Sequence, residues 1–269
     1  MSDNNIKNNK NVESTRTNDI AEFGAELNFA TKEAYALLRA NLSFSLLEKA
    51  GGKKIGITSS VPQEGKSTIS INLAYSLADA GNKVLLMDGD MRRGSIARKL
   101  KKRSSHGLAE YLSGKENLAV HTNVLIDGLD VIVRGDTPPN PSELMGSERM
   151  EKTLDTLAER YDYIIVDLPP VNSVADPLII STYLDGVIVV VRHEHTRSDL
   201  VRETIHRLKF ARAHIFGFVY NAYSKHHKNY YRGYYKNRYK DYYRYYTSRK
   251  TTEERTNNDP SKETITEIK

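Results

Sequence analysis

The sequence predicts an α/β fold, a mostly parallel sheet with helices on both faces. Three observations predict it. Short, continuously apolar runs such as residues 186–191 alternate with longer amphipathic ones, the pattern of buried parallel strands and their crossover helices. Residues 53–68, KKIGITSSVPQEGKST, read as a strand, a tight turn and a helix start, the layout that presents backbone amides and a helix dipole to an anion. Two further apolar runs end in acids, Asp88 and Asp167, at the strand ends where open parallel sheets collect ligands.

A chain of 269 residues with 39% hydrophobic content buries a sizeable core, and one α/β domain with tails is the natural organisation. The absence of cysteine excludes a disulfide framework and thiolate metal sites, in keeping with a reducing compartment. No apolar run approaches the ~18 residues of a spanning helix, and the N-terminus lacks the apolar core of a secretory signal. The net charge of +6 is unevenly placed: residues 225–250 hold nine Lys or Arg against one acid, a net +8 that leaves −2 for the rest. Basicity therefore belongs to a tail, and the domain face is not expected to bind nucleic acid.

In chain order, residues 1–28 are read as a flexible arm, its first twenty polar and poor in apolar groups. Residues 31–50 follow a helical period through Ala34, Leu37, Leu38, Leu42, Leu46 and Leu47, with Thr31 as the expected N-cap. After the short strand that opens residues 53–68, Gly65 lets the backbone approach a phosphate, Lys66 reaches the β/γ-phosphates and the Ser67 hydroxyl suits Mg²⁺. The usual pattern is G-x-x-x-x-G-K-[ST]; Ser60 stands in the place of its first Gly. A helix at 69–80 ends at Gly81-Asn82, and a strand at 83–87 leads into Asp88-Gly89-Asp90, two acids facing the same phosphate and metal site. A short helix at 108–112 and a strand at 129–133 precede the Pro-dense loop GDTPPNPSEL at 135–144, which leads into a helix. A helix at 147–160 and a strand at 161–167 follow, the strand ending in Asp167 like an acid that holds Mg²⁺ directly or through water. A helix at 177–183, a buried strand at 186–191, a helix at 198–213 and a last strand at 215–221 complete the domain, set at 29–224.

Residues 225–269 form the tail. Nine of the chain's 17 tyrosines, Tyr230, Tyr231, Tyr234, Tyr235, Tyr239, Tyr242, Tyr243, Tyr245 and Tyr246, are interleaved there with Lys and Arg, and no Phe or Trp joins them. Stacking on single-stranded nucleic acid does not require the hydroxyl, whereas a phosphoacceptor does. Phosphate on all nine would add roughly −14 to −18 and reverse the sign of the segment.

Taken together, the loop at 60–68, the VLLMDGDMRR and YIIVDLPP segments, the GDTPPNPSELM loop and the tyrosine cluster resemble the bacterial tyrosine kinases (BY-kinases) of capsule and exopolysaccharide synthesis. The resemblance implies a P-loop NTPase fold and transfer of phosphate from ATP to tyrosine with Mg²⁺. It implies autophosphorylation of the tail, from one subunit to its neighbour. By this resemblance Ser60, Gln63, Glu64, Gly65, Lys66, Ser67 and Thr68 hold the nucleotide's phosphates, with Arg192 and Asn221 near its adenine. Ser67, Asp90 and Asp167 hold the metal, and Lys66, Asp88 and Asp90 are catalytic; which of the two acids is the base stays open. Glu33 and Arg39 match the family's E-x-x-R-x-x-R oligomerisation motif, in which Ala36 replaces the first Arg. The resemblance further implies a homo-oligomer, potentially a ring, a transmembrane polysaccharide co-polymerase as activator and a tyrosine phosphatase as partner. The location it implies is cytoplasmic, at the inner face of the membrane. The competing reading is a ParA/MinD-like ATPase that modifies no tyrosine.

Overall fold

The computed structural model describes residues 23–103 and 105–222. The elements run α1 (Phe29–Ser45), β1 (Lys53–Ser59), α2 (Lys66–Asp79), β2 (Val84–Asp88), α3 (Ile96–Lys99), α4 (Leu108–Leu112) and β3 (Leu129–Ile132). They continue with α5 (Pro141–Met145), α6 (Glu148–Ala158), β4 (Tyr163–Asp167), α7 (Asp176–Ile180), β5 (Gly186–Arg192), α8 (Ser198–Phe210) and β6 (Ile215–Asn221). All nine tail tyrosines and the first 22 residues of the expected arm lie outside the described residues.

The strands pair in parallel in the order β3-β2-β4-β1-β5-β6. Alternation along β2 shows why both faces must be covered. Leu86 joins the core formed with α1 and α2, while Leu85 and Met87 join the core formed with α4, α5 and α6. A strand so placed has no polar face, which is why the sequence reads as unbroken apolar runs. The chain leaves β1 for β2 and β3 on one side, returns to insert β4 between β2 and β1, then adds β5 and β6 on the other side. The order therefore reverses around β1 and β4, and the loops after β1, β2 and β4 open onto one crevice.

Two sequence expectations need correction at α1. Its N-cap is Asn28, whose carboxamide oxygen accepts both the backbone N–H and the hydroxyl of Thr31, each at 3.0 Å. Thr31 thus lies inside the first turn. Leu37 and Leu47, expected on the packed face, are 56% and 75% exposed. The buried stripe is the narrower set Tyr35, Leu42 and Leu46, with Leu38 half-buried beside it. Residues 23–28, read as the end of the arm, belong to the packed fold: the Gly24 N–H donates to Asn72 of α2 (3.0 Å), and Phe23 and Leu27 rest on the core. Among the described residues no helix is long and apolar enough to cross a membrane.

Candidate active site

The phosphate loop is built by the end of β1 and the start of α2. Gly65 sits at φ +94°, and a Cβ there would come within 2.1 Å of Asn221 Nδ2. Only glycine satisfies both the left-handed backbone and the close approach. The loop is also braced from behind. The buried Glu64 carboxylate accepts the Val61 N–H (2.8 Å), the Arg192 N–H (3.3 Å) and the Thr196 hydroxyl. Asn221 donates to the Glu64 carbonyl (2.8 Å), the Arg192 guanidinium to the Gln63 carbonyl (3.0 Å) and His195 Nε2 to the Pro62 carbonyl (3.2 Å). The side chain of Glu64 is thereby used within the protein, and Arg192 and Asn221 stand against the loop as its clamps. Thr68 accepts a hydrogen bond from Lys99 Nζ (3.2 Å). Ser60 Oγ, at the position of the missing glycine, is buried with no hydrogen-bond partner.

Parallel pairing sets Asp88 and Asp167 side by side as register partners at the ends of β2 and β4. Each is 1% exposed. Asp167 accepts the Ser70 hydroxyl (3.0 Å). Asp88 Oδ2 accepts the Ile96 N–H (3.1 Å), and its Oδ1 has no partner. Burial, followed by the charge of Asp167, pushes Asp88 up to about 8. Burial also raises Asp167, to about 6, against the pull of the Lys66 ammonium and the Ser67 and Ser70 hydroxyls. Opposite charge and hydrogen bonds favour the ionised form, and desolvation opposes it. Asp90 adds its charge to both acids, while its own Oδ1 accepts the Arg92 and Arg93 N–H groups at 3.2 and 2.8 Å.

The expected residues therefore meet: Lys66, Ser67, Asp88, Asp90 and Asp167 face one another across three strand ends. Sequence reasoning missed Ser95, whose hydroxyl donates to Ser67 Oγ (2.8 Å), and Lys99. Burial and the neighbouring Arg98 lower the Lys99 pKa, opposed by the charge of Asp167. Both lie on or beside the four-residue α3, too short for a periodic signal. Glu33 is exposed on α1, whereas Arg39 turns inward, bonding the carbonyl of Ser76 on α2 and its hydroxyl (3.1 Å).

Two tests of fit bear on a divalent cation. The donors are hard oxygens, and one of them, Asp88 Oδ1, is buried and unpartnered, a position that a cation or a bound water would satisfy. Among the described residues no three His, Cys, Asp or Glu side chains form a ready cage. Mg²⁺ asks for none, since it is usually held by one or two carboxylates together with substrate phosphates and water.

A family model described as an AAA domain matches residues 52–215. The tyrosine-protein kinase ptk of Acinetobacter johnsonii is 36% identical over 192 residues, 70% of this chain and 26% of the relative. The tyrosine-protein kinase CpsD of Streptococcus agalactiae is 35% identical over 199 residues, 72% of this chain and 84% of the relative. The chain thus spans about a quarter of the length of the first relative and most of the second. Among solved structures, the kinase domain of the Escherichia coli tyrosine kinase ETK matches with a TM-score of 0.70 at 34% identity, covering 74% of this chain and 78% of that one.

Proposed function

Because this chain belongs to the bacterial tyrosine-protein kinase family, we propose that it transfers the terminal phosphoryl group of ATP to tyrosine hydroxyls and so regulates capsular or exopolysaccharide synthesis. The observation that carries this reading is the meeting of Asp88 and Asp167, abreast on neighbouring strands, with the Lys66 loop.

The amides at the start of α2 and the Lys66 ammonium hold the phosphates, and the clamps on the loop keep those donors aimed before the nucleotide arrives. Ser67, Asp90 and Asp167 are the residues that would hold Mg²⁺, which when bound neutralises charge on the β- and γ-phosphates. Of the two candidate bases we favour Asp88. Each acid has one oxygen engaged, Asp90 Oδ1 by two backbone N–H groups and Asp88 Oδ2 by that of Ile96; Asp88 Oδ1 is buried without a partner, and a bound cation would favour the ionised Asp88 that can take the tyrosine proton. Positioning and electrostatics carry most of phosphoryl transfer, so this small set of groups suffices.

The acceptors in this reading are the nine tail tyrosines, and the tail of one copy enters the site of another. What supports an assembly is the outer face of α1, where Leu37 and Phe44 are 56% and 70% exposed, with the exposed Leu47 in the turn that follows, apolar surface that a second copy would cover. Glu33 shares this helix, and the inward Arg39 supports the interface by holding α1 on α2. A transmembrane polysaccharide co-polymerase as activator, a tyrosine phosphatase as antagonist and a cytoplasmic position at the inner membrane face complete the proposal.

Incubation of the protein with Mg²⁺ and γ-labelled ATP tests it. The expected result is label on tail tyrosines by mass spectrometry, absent in Lys66→Met. Release of free phosphate with an unlabelled tail overturns the kinase reading in favour of an ATPase.

A further inference from the structure

Asp176, at the start of α7, is fully buried and touches neither the phosphate loop nor the acid pair through any hydrogen bond of its own. Its partners come from two other segments. Arg92, two residues beyond Asp90, donates from Nε to Oδ2 (2.9 Å) and from Nη2 to Oδ1 (3.3 Å). Ser142, in the Pro-dense loop at the start of α5, donates its hydroxyl to Oδ1 (2.5 Å) and accepts Arg92 Nη2 (3.1 Å). One carboxylate thus ties together the loop after β2, the loop after β3 and the chain that follows β4. A bidentate guanidinium–carboxylate pair fixes orientation as well as distance.

Arg92 faces two ways. Its side chain is held by Asp176, while its backbone N–H, with that of Arg93, donates to the Asp90 carboxylate. Whatever fixes the Arg92 guanidinium therefore fixes the turn that aims Asp90. We propose that Asp176, Arg92 and Ser142 form a positioning device that sets the carboxylate of Asp90 for the metal–nucleotide site. This gives a role to the Pro-dense loop, whose prolines stiffen the segment presenting Ser142. The inference rests on the reading of Asp90 as a metal-site residue.

The test compares Asp176→Asn, Arg92→Gln, their double variant and Ser142→Ala. Asp155→Asn is the control, since it breaks only the Lys54–Asp155 pair, in which Asp155 is 63% exposed. Amide hydrogen exchange over residues 88–96 is measured first, in the metal-free, nucleotide-free protein. The Mg²⁺ concentration giving half of the ADP-induced rise in melting temperature is measured second. Faster exchange at 92 and 93 is expected in Asp176→Asn and Arg92→Gln, with a half-saturating Mg²⁺ concentration roughly tenfold higher, the scale of one lost hydrogen bond to a charged group. The double variant should match either single variant, because both remove the same contact. Ser142→Ala should lie between these and wild type, and Asp155→Asn should match wild type.

A merely structural Asp176 would lower the melting temperature and leave the Mg²⁺ midpoint in place, which overturns the proposal. So does wild-type exchange over 88–96 in folded Arg92→Gln, the half-exposed partner whose replacement decides the matter if Asp176→Asn does not fold. Neither readout uses phosphoryl transfer. An unlabelled tail would therefore refute the kinase reading while these two measurements still judged the device.

Discussion

Replacing Asp88 by Asn separates what the acid pair does for stability from what it does for chemistry. In an unfolded chain Asp88 titrates near 3.8, and in the folded, metal-free protein near 8. Between those values the folded state keeps a proton that the unfolded chain has lost, so stability is greatest below the lower value and falls as pH rises through the window. The loss is roughly 1.4 kcal/mol for each pH unit contributed by one such group. Asp167, also raised by burial, adds to the slope in the same direction, since the two neighbouring acids titrate as a pair. Asn at this position keeps an oxygen to accept the Ile96 N–H and places an amide donor beside Asp167. It carries no titratable proton and no charge. The melting temperature of Asp88→Asn relative to wild type should then rise by about 3–6 °C per pH unit across pH 6–8 for a domain of this size. Scanning fluorimetry in EDTA, without nucleotide, reads it directly. Curves for the two proteins that stay parallel from pH 6 to 8 would refute the argument that Asp88 holds a proton there. Tail labelling by the same variant should be abolished even where it is the more stable protein.

Gly65→Ala forces a side chain into a backbone at φ +94° and against Asn221; it should lose roughly 1–3 kcal/mol and bind fluorescent ADP too weakly to titrate. Glu64→Gln leaves its buried donors a poorer acceptor, costing about 1–3 kcal/mol, and should weaken ADP binding with the tail sequence untouched. Arg39→Ala should lower stability by about 1–2 kcal/mol through the lost Ser76 contacts, measured by urea unfolding. Phe44→Glu, on the exposed apolar face, should reduce the mass of any assembly seen by light scattering and leave ADP binding unchanged; an unaltered mass would move the interface away from α1.

The sheet was legible because buried parallel strands are written as uninterrupted apolar runs, and Asp88 and Asp167 each end such a run. Asp88 and Asp167 could be placed on one side of the sheet from this alone, although their adjacency depends on β4 inserting between β2 and β1. The boundaries at α1 were less legible. Asn28 and Thr31 are both good caps, and the stripe that packs is narrower than the one that is apolar, since Leu37 and Phe44 of α1 stay exposed. The supports of the site were illegible for another reason. Glu64 with Thr196, and Arg92 with Asp176, join residues 132 and 84 positions apart, and no local pattern announces which distant partner a buried polar group will find.

Those supports are what a site of this kind requires. Parallel pairing places two carboxylates abreast at the ends of β2 and β4, where their mutual repulsion and loss of water act against the folded state. The strands themselves, buried on both faces, supply the apolar contacts that offset it. Packing alone, however, leaves the loops that carry Lys66 and Asp90 unaimed. Buried braces prevent this: Glu64 and Asn221 close the phosphate loop from the β5 and β6 side, and Asp176 holds the turn that carries Asp90. Each of these braces satisfies its polar atoms within the protein, whereas Asp88 Oδ1, Ser60 Oγ and the Oδ1 of Asn172, whose N–H donates to the Ser60 carbonyl (3.3 Å), are buried without partners. Buried polar atoms left unmade beside such a site are ones that a bound group can complete.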